Sequence, residues 1–173
     1  MKVVFVCTGN LCRSPMAEVL LRDALAQRDC TDVEVSSVGT WAMPGSGATA
    51  IAVDVMRDMG IDLSMHSSRD AELEELEAAD LIVVMTSVHQ RELRGLGPHL
   101  MDKVVMLKEL AEIQMTEGAA DPTARLAALL SGQRPKPRRS LDVDDPMGLP
   151  RGAYERTAAE LRAGTDFLAD LLC

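Results

Sequence analysis

Hydrophobic positions along the chain follow two rhythms that take turns. Residues 2–7, KVVFVC, are β-branched and aromatic over a strand's length. From Pro15 the stretch PMAEVLLRDALAQ changes to helical spacing, with apolar side chains at 16, 17, 20, 21, 24 and 25. A second strand fits 33–37, VEVSS, and a Gly-rich loop follows to about 47. Residues 48–59 read as a helix that ends at Gly60, a favoured residue just past a helix end. The acidic run AELEELEAAD (71–80) starts as a short helix and leads into LIVVM (81–85), an unbroken buried-strand pattern. Residues 87–95 look helical, 103–107 form a fourth strand, 108–113 a short helix, and 151–172 a final helix.

Strands alternating with helices predict an α/β fold: a four-stranded parallel sheet with helices on both faces, a three-layer sandwich. Ligands in such folds bind beyond the carboxyl ends of strands, at a topological switch point. Residues 7–14 lie at the carboxyl end of the first strand. The whole of 1–173 is expected to be a single domain. Within it, 114–140 stands apart, with a short helical pattern (PTARLAALL) and a basic run (SGQRPKPRRS) expected to be a mobile, solvated insertion.

Composition narrows the partners. Net charge is −9 and the pI near 4.8, which argues against nucleic acid or an anionic membrane as partner. The opening apolar run is short, interrupted by Cys and Gly, and lacks a cleavage pattern, so the expected location is cytoplasmic. Aromatic residues are confined to Phe5, Trp41, Tyr154 and Phe167, which limits what can wall an aromatic substrate. Cysteines at 7, 12, 30 and 173 show no zinc-ligand spacing with His66, His89 or His99, and no metal or cofactor is expected.

The chemistry concentrates in CTGNLCRSP, residues 7–15. A strand ends at Cys7, Gly9 and Asn10 permit a tight turn, and Ser14-Pro15 fits an N-cap followed by Pro at the first helical position. A loop wound in this way, through Thr8, Gly9, Asn10, Leu11, Cys12, Arg13 and Ser14, turns successive N–H groups into one concavity. With the positive end of a helix behind it, that concavity suits a tetrahedral dianion. Arg13 adds a planar fork able to grip two oxygens. The same field favours a thiolate on Cys7, to which the Ser14 hydroxyl can donate a hydrogen bond. A nucleophile set in an anion cradle points to phosphoryl transfer through a phosphocysteine.

The stretch VCTGNLCRSPMAE resembles the phosphate-binding signature of the low-molecular-weight protein tyrosine phosphatases. The likeness continues through SSVGT (36–40), GIDLSMHSSR (60–69), DLIVVMT (80–86) and DVDDPMG (142–148). It implies a flavodoxin-like sheet with Cys7 as nucleophile and Arg13 on the phosphate. Asn10, Ser14, Ser37 and His66 match the family's hydrogen-bond network that holds the loop in shape. By analogy, Cys12 is placed to close a reversible disulfide with Cys7 under oxidation.

Expelling the alcohol of a phosphomonoester requires an acid. Two Asp-Pro pairs are candidates. Asp121-Pro122 reads as an N-cap and first helical residue, whereas the resemblance assigns the acid to Asp145, before Pro146, with Asp144 its neighbour. The expected substrates are a phosphorylated protein or a small phosphomonoester. Tyrosine-directed relatives carry an aromatic residue after the Asp-Pro, and this chain has Met147; Trp41 is close enough in sequence to help form the wall. The loop also resembles that of protein-arginine phosphatases, which carry Thr where this chain has Leu11. An apolar Leu11 favours a phenyl ring over a guanidinium, so phosphotyrosine is the expected substrate and phosphoarginine the alternative. An arsenate reductase would need relay cysteines between Cys30 and Cys173, and a non-catalytic anion-binding module would not need Cys7, Arg13 and Asp145 together.

Overall fold

The computed structural model describes residues 1–114, 121–135 and 138–173. Strands β1 (Lys2–Cys7), β2 (Glu34–Gly39), β3 (Leu81–Val84) and β4 (Val104–Met106) form one parallel sheet in the order β2-β1-β3-β4. Their near-continuous apolar composition follows from burial on both faces. Val3, Phe5 and Cys7 of β1 join one core layer while Val4 and Val6 join the other, as a two-residue period requires.

The first layer is covered by α1 (Arg13–Ala26), α2 (Ala50–Asp58), α5 (Pro122–Ser131) and α6 (Arg151–Leu172). The second is covered by α3 (Leu73–Glu77) and α4 (Ser87–Leu96), which set Leu76 and Leu93 against Val4, Val6, Ile82 and Val84. This is the three-layer α/β sandwich that the alternating pattern predicts. Met16, Ala17, Leu20, Leu21, Ala24 and Leu25 are all buried, the six positions picked out by helical spacing. They pack largely against α6, where Leu161 and Leu168 are fully buried. Truncating one of these leucines to Ala removes about 3 kcal/mol, from lost transfer and an unfilled cavity.

The structure differs from the sequence reading at the start of α1. Helix α1 starts at Arg13 with Cys12 as its cap residue, so Ser14 lies inside the helix and makes no cap. Its hydroxyl is engaged elsewhere, by the thiol and amide described below. Within the insertion, the short helix expected at PTARLAALL is present as α5. Asp121 caps α5 through Ala124 N at 3.0 Å, Leu126 and Leu129 are buried, and Gln114 pairs with Gln133 through their backbones. Arg138 pairs with Glu112, and Arg134 bonds Val104 O. The expected mobility also fell on 115–120 and 136–137, which lie outside the described residues.

From β1 the chain crosses to β2 on one side, while β3 lies on the other. The loops leaving the carboxyl ends of β1 and β3 therefore diverge, and a crevice opens between them.

Candidate active site

The crevice is built around residues 7–14. Cys7 ends β1 on the face toward α1, so its sulfur lands under the first turn of that helix. Asn10 takes φ 53°, the left-handed region that Asn tolerates better than most residues. Gly9 does not share that conformation; the turn rests on Asn10 alone.

The loop's carbonyls are turned outward and bonded by its surroundings. Cys7 O accepts Thr40 N, Thr8 O accepts Trp41 N and Leu11 O accepts Thr49 N, each at 2.9 Å. Asn10 O meets His66 Nε2 at 2.8 Å, and Cys12 O accepts Met16 N at 3.1 Å. Among the described residues, no protein group accepts the backbone N–H groups of Thr8 to Ser14. A ring of free donors at a helix N-terminus is an oxyanion site. Gly39 permits it: a β-carbon there would overlap the Thr8 carbonyl and lie 2.9 Å from Asn10 N.

Side chains fix the ring from behind. Buried Asn10 donates Nδ2 to Ser14 Oγ (2.9 Å) and Ser37 Oγ (2.8 Å), while its Oδ1 accepts Arg69 N at 3.0 Å. Ser14 Oγ lies 3.0 Å from Cys7 Sγ and 3.3 Å from Val38 O. The helix-interior position of Ser14 thus brings its hydroxyl to the thiol. Cys12 Sγ contacts Thr49 Oγ1 (3.5 Å) and Tyr154 OH (3.7 Å). Burial pushes the Cys12 thiol up, against the lowering effect of these two hydroxyls, so Cys12 is a protonated neighbour of Cys7.

Arg13 is only 5% exposed. Its Nη2 donates to Asp145 Oδ2 at 2.7 Å and its Nη1 to Val143 O at 3.3 Å. Two backbone-level ties hold the segment carrying Asp145 at the end of β3. Val143 N donates to Met85 O, and Ser87 N donates to Asp142 Oδ1, each at 2.8 Å. Asp145 itself is half exposed, and its Oδ1 accepts Met147 N at 3.1 Å. Cys7, Arg13 and Asp145 therefore share one cleft of about 190 Å³, whose remaining lining is Thr8, Gly9, Leu11, Cys12 and Met147.

A thiol on the floor, free N–H donors around it, a guanidinium at its side and a carboxyl at its mouth form a recognisable set. Residues 2–125 match the family described as low molecular weight phosphotyrosine protein phosphatase. The chain belongs to that family. Among relatives, a protein-arginine-phosphatase of Bacillus subtilis is 41% identical to this phosphatase over 63% of its chain and 71% of the relative. A probable low molecular weight protein-tyrosine-phosphatase, EpsP of Ralstonia solanacearum, is 32% identical over 95% of this chain and 90% of its own. Among solved structures, a mutant of YwlE arginine phosphatase with a phosphorylated active site serine is 33% identical. It superposes with a TM-score of 0.78 over 99% of this phosphatase and 95% of that chain.

The sequence-predicted residues do not all meet in the cleft. Leu11 and Met147 flank it, but Trp41 is 75% exposed and absent from its lining; only the Trp41 backbone is tied to the loop. Asp144 is absent from the cleft lining and faces an adjoining depression that it shares with Asp145, Arg156 and Glu160, and Asp121 caps α5. Ser37 and His66 support the loop from outside the cleft. Sequence reading missed Arg69, whose amide completes the bonding of Asn10, and His89, whose ring reaches Thr8. His89 carried a weak signal, as a lone histidine just after a buried strand that ends near the site. No helix among the described residues is long and apolar enough to cross a membrane.

Proposed function

We propose that the protein hydrolyses phosphotyrosine in phosphoproteins through a phosphocysteine on Cys7. The Cys7 thiolate attacks phosphorus in line and displaces the phenol oxygen, while Arg13 and the ring of N–H groups stabilise the equatorial oxygens. Asp145 gives its proton to the departing oxygen. As carboxylate it then takes a proton from the water that cleaves the S–P bond, releasing inorganic phosphate and restoring the thiolate. Phosphate oxygens compete with Asp145 for the Arg13 fork, so substrate binding frees the acid at the moment it is needed. The observation that carries this reading is the shared cleft of Cys7, Arg13 and Asp145. The phosphorylated active site serine of the YwlE mutant supports covalent chemistry at such a site. Arg13 and the amides supply the positive field, so full activity in EDTA is expected.

The preference for an aryl ester rests on the apolar flanks, Leu11 and Met147. A flat ring can pack against both side chains, whereas a guanidinium would lose hydration against them and find a charged partner only in Asp145, which the reaction needs as its acid. The second reading, phosphoarginine, is supported by the name of the 41% identical relative. Steady-state rates on phosphotyrosine and phosphoarginine peptides, for wild type and Leu11→Thr, separate the two. A wild-type preference for phosphotyrosine that weakens in Leu11→Thr is expected; a wild-type preference for phosphoarginine overturns the assignment.

A further inference from the structure

Under the mouth of the cleft lies a buried imidazole with no part in the cycle above. His89, in the first turn of α4, is 2% exposed. Both ring nitrogens meet hydroxyls, Nδ1 with Thr86 Oγ1 at 3.0 Å and Nε2 with Thr8 Oγ1 at 2.9 Å. Burial, then the nearby Arg13, bring the ring down to about 4 against the opposing pull of Asp145 and Asp142, so it is neutral near neutral pH.

A neutral imidazole has one donor and one acceptor nitrogen. Thr86 Oγ1 caps α4 by accepting His89 N at 3.4 Å. Among the described residues, Nδ1 is the one acceptor within reach of the Thr86 hydroxyl proton. Nδ1 then accepts, and Nε2 carries the ring proton and donates it to Thr8 Oγ1. That leaves the Thr8 hydroxyl hydrogen pointing away from the ring, on a residue that lines the cleft with Cys7, Arg13 and Asp145. A buried imidazole needs a partner at each nitrogen, and here the second partner is Thr8, on the reacting side of the loop.

We infer that His89 is a positioning residue, holding the Thr8 hydroxyl as a hydrogen-bond donor to the in-line oxygen. That oxygen is the one leaving phosphorus in the first step and the water oxygen arriving in the second, both opposite the Cys7 sulfur. Thr8 transfers no proton: Asp145 supplies the proton to the leaving oxygen and recovers one from water. The inference rests on the phosphatase reading of Cys7 and Asp145.

Thr8→Val removes the donor at nearly constant volume, and Thr8→Ser restores it. Thr8→Val should lower kcat about 10-fold on an aryl phosphate with a poor leaving group and change KM by less than about twofold. Thr8→Ser should regain most of that loss. His89→Leu should match Thr8→Val, whereas His89→Gln, whose Nε2 can donate where the imidazole Nε2 does, should regain part. The double variant Thr8→Val with His89→Leu should be no slower than Thr8→Val. Rates are compared at a temperature where thermal melts show every variant folded. A wild-type kcat in Thr8→Val, or losses that multiply in the double variant, overturns the inference. The phosphatase reading fails separately, since wild type would then show no turnover of aryl phosphate before any variant is compared.

Discussion

The loop from Cys7 to Ser14 and the segment from Asp142 to Gly148 face each other across one cleft and are built in opposite ways. On the nucleophile side, Asn10 and Ser14 are completely buried and bonded to Ser37, Arg69 and the sulfur itself. The acid side is anchored at Asp142 and Val143 and then runs into solvent, with Asp145 half exposed and Met147 at 45%. A ring of donors must be in place before phosphate arrives, because its reorganisation during the reaction would cancel its stabilising effect. An acid that serves a leaving group and then water has to tolerate different partners, and a half-exposed carboxyl does. Rigidity is concentrated where charge develops, and openness where groups exchange.

Removing the nucleophile tests this contrast most severely. Cys7→Ser should reduce kcat by at least about 10³-fold on any aryl phosphate while phosphate still binds, measured by steady-state assay and calorimetry. Loss of phosphate binding in the same variant would mean that the sulfur, and not the amide ring, organises the cradle. Asp145→Asn should come next: single-turnover formation of the phosphoenzyme should slow about 10²-fold with phosphotyrosine and much less with p-nitrophenyl phosphate, whose leaving group needs little protonation. Its melting temperature should change little, because the Asn oxygen can still accept from the buried Arg13 guanidinium.

Asn10→Ala reverses that pattern. It removes three side-chain hydrogen bonds and places Ala at φ 53°, with an expected cost of about 3 kcal/mol in denaturant unfolding. Asn10→Gly, which accepts the backbone but lacks the amide, should recover about 1 kcal/mol of this. If Asn10→Ala were as stable as wild type, the nucleophile loop would not be the fixed partner.

The smallest effect expected is on acid stability. His89 has its pKa lowered from 6.5 to about 4 by burial and Arg13. The fold holds the neutral ring, so this contribution is fully present above about pH 6.5 and is lost as pH falls toward 4. Wild type should lose about 2 kcal/mol between neutral pH and about pH 5 from this group. His89→Gln should flatten that part of the profile in urea titrations at each pH; parallel profiles would show that the ring does not titrate as the buried group described.

Much of this arrangement was legible in the sequence because its determinants are local. β1 and β3 are short apolar runs, and α1 and α6 carry clean helical spacing, so the sheet and its helices could be read directly. Cys7, Arg13 and Asn10 lie within one turn of chain whose residue types have few other uses. The partners that hold them are distant in sequence: Arg69 lies 59 positions from Asn10 and His89 81 positions from Thr8. Such pairings depend on which loops the sheet order brings together. Ser14 misled only as a helix cap, because Ser-Pro is a good helix start; its expected contact with the Cys7 thiol is present at 3.0 Å. Trp41 was placed at the wall by sequence proximity, while the turn after β2 sends its ring into solvent.

The most direct test quenches Asp145→Asn in acid while it turns over radiolabelled p-nitrophenyl phosphate, then maps the labelled peptide. This substrate makes the first step fast without an acid, and loss of Asp145 slows the second, so the intermediate accumulates. Label on the peptide containing Cys7, approaching one phosphate per chain and chased off on dilution into unlabelled substrate, is the expected result. Continued phosphate release with no label on Cys7 would contradict a phosphocysteine, whatever the identity of the physiological substrate.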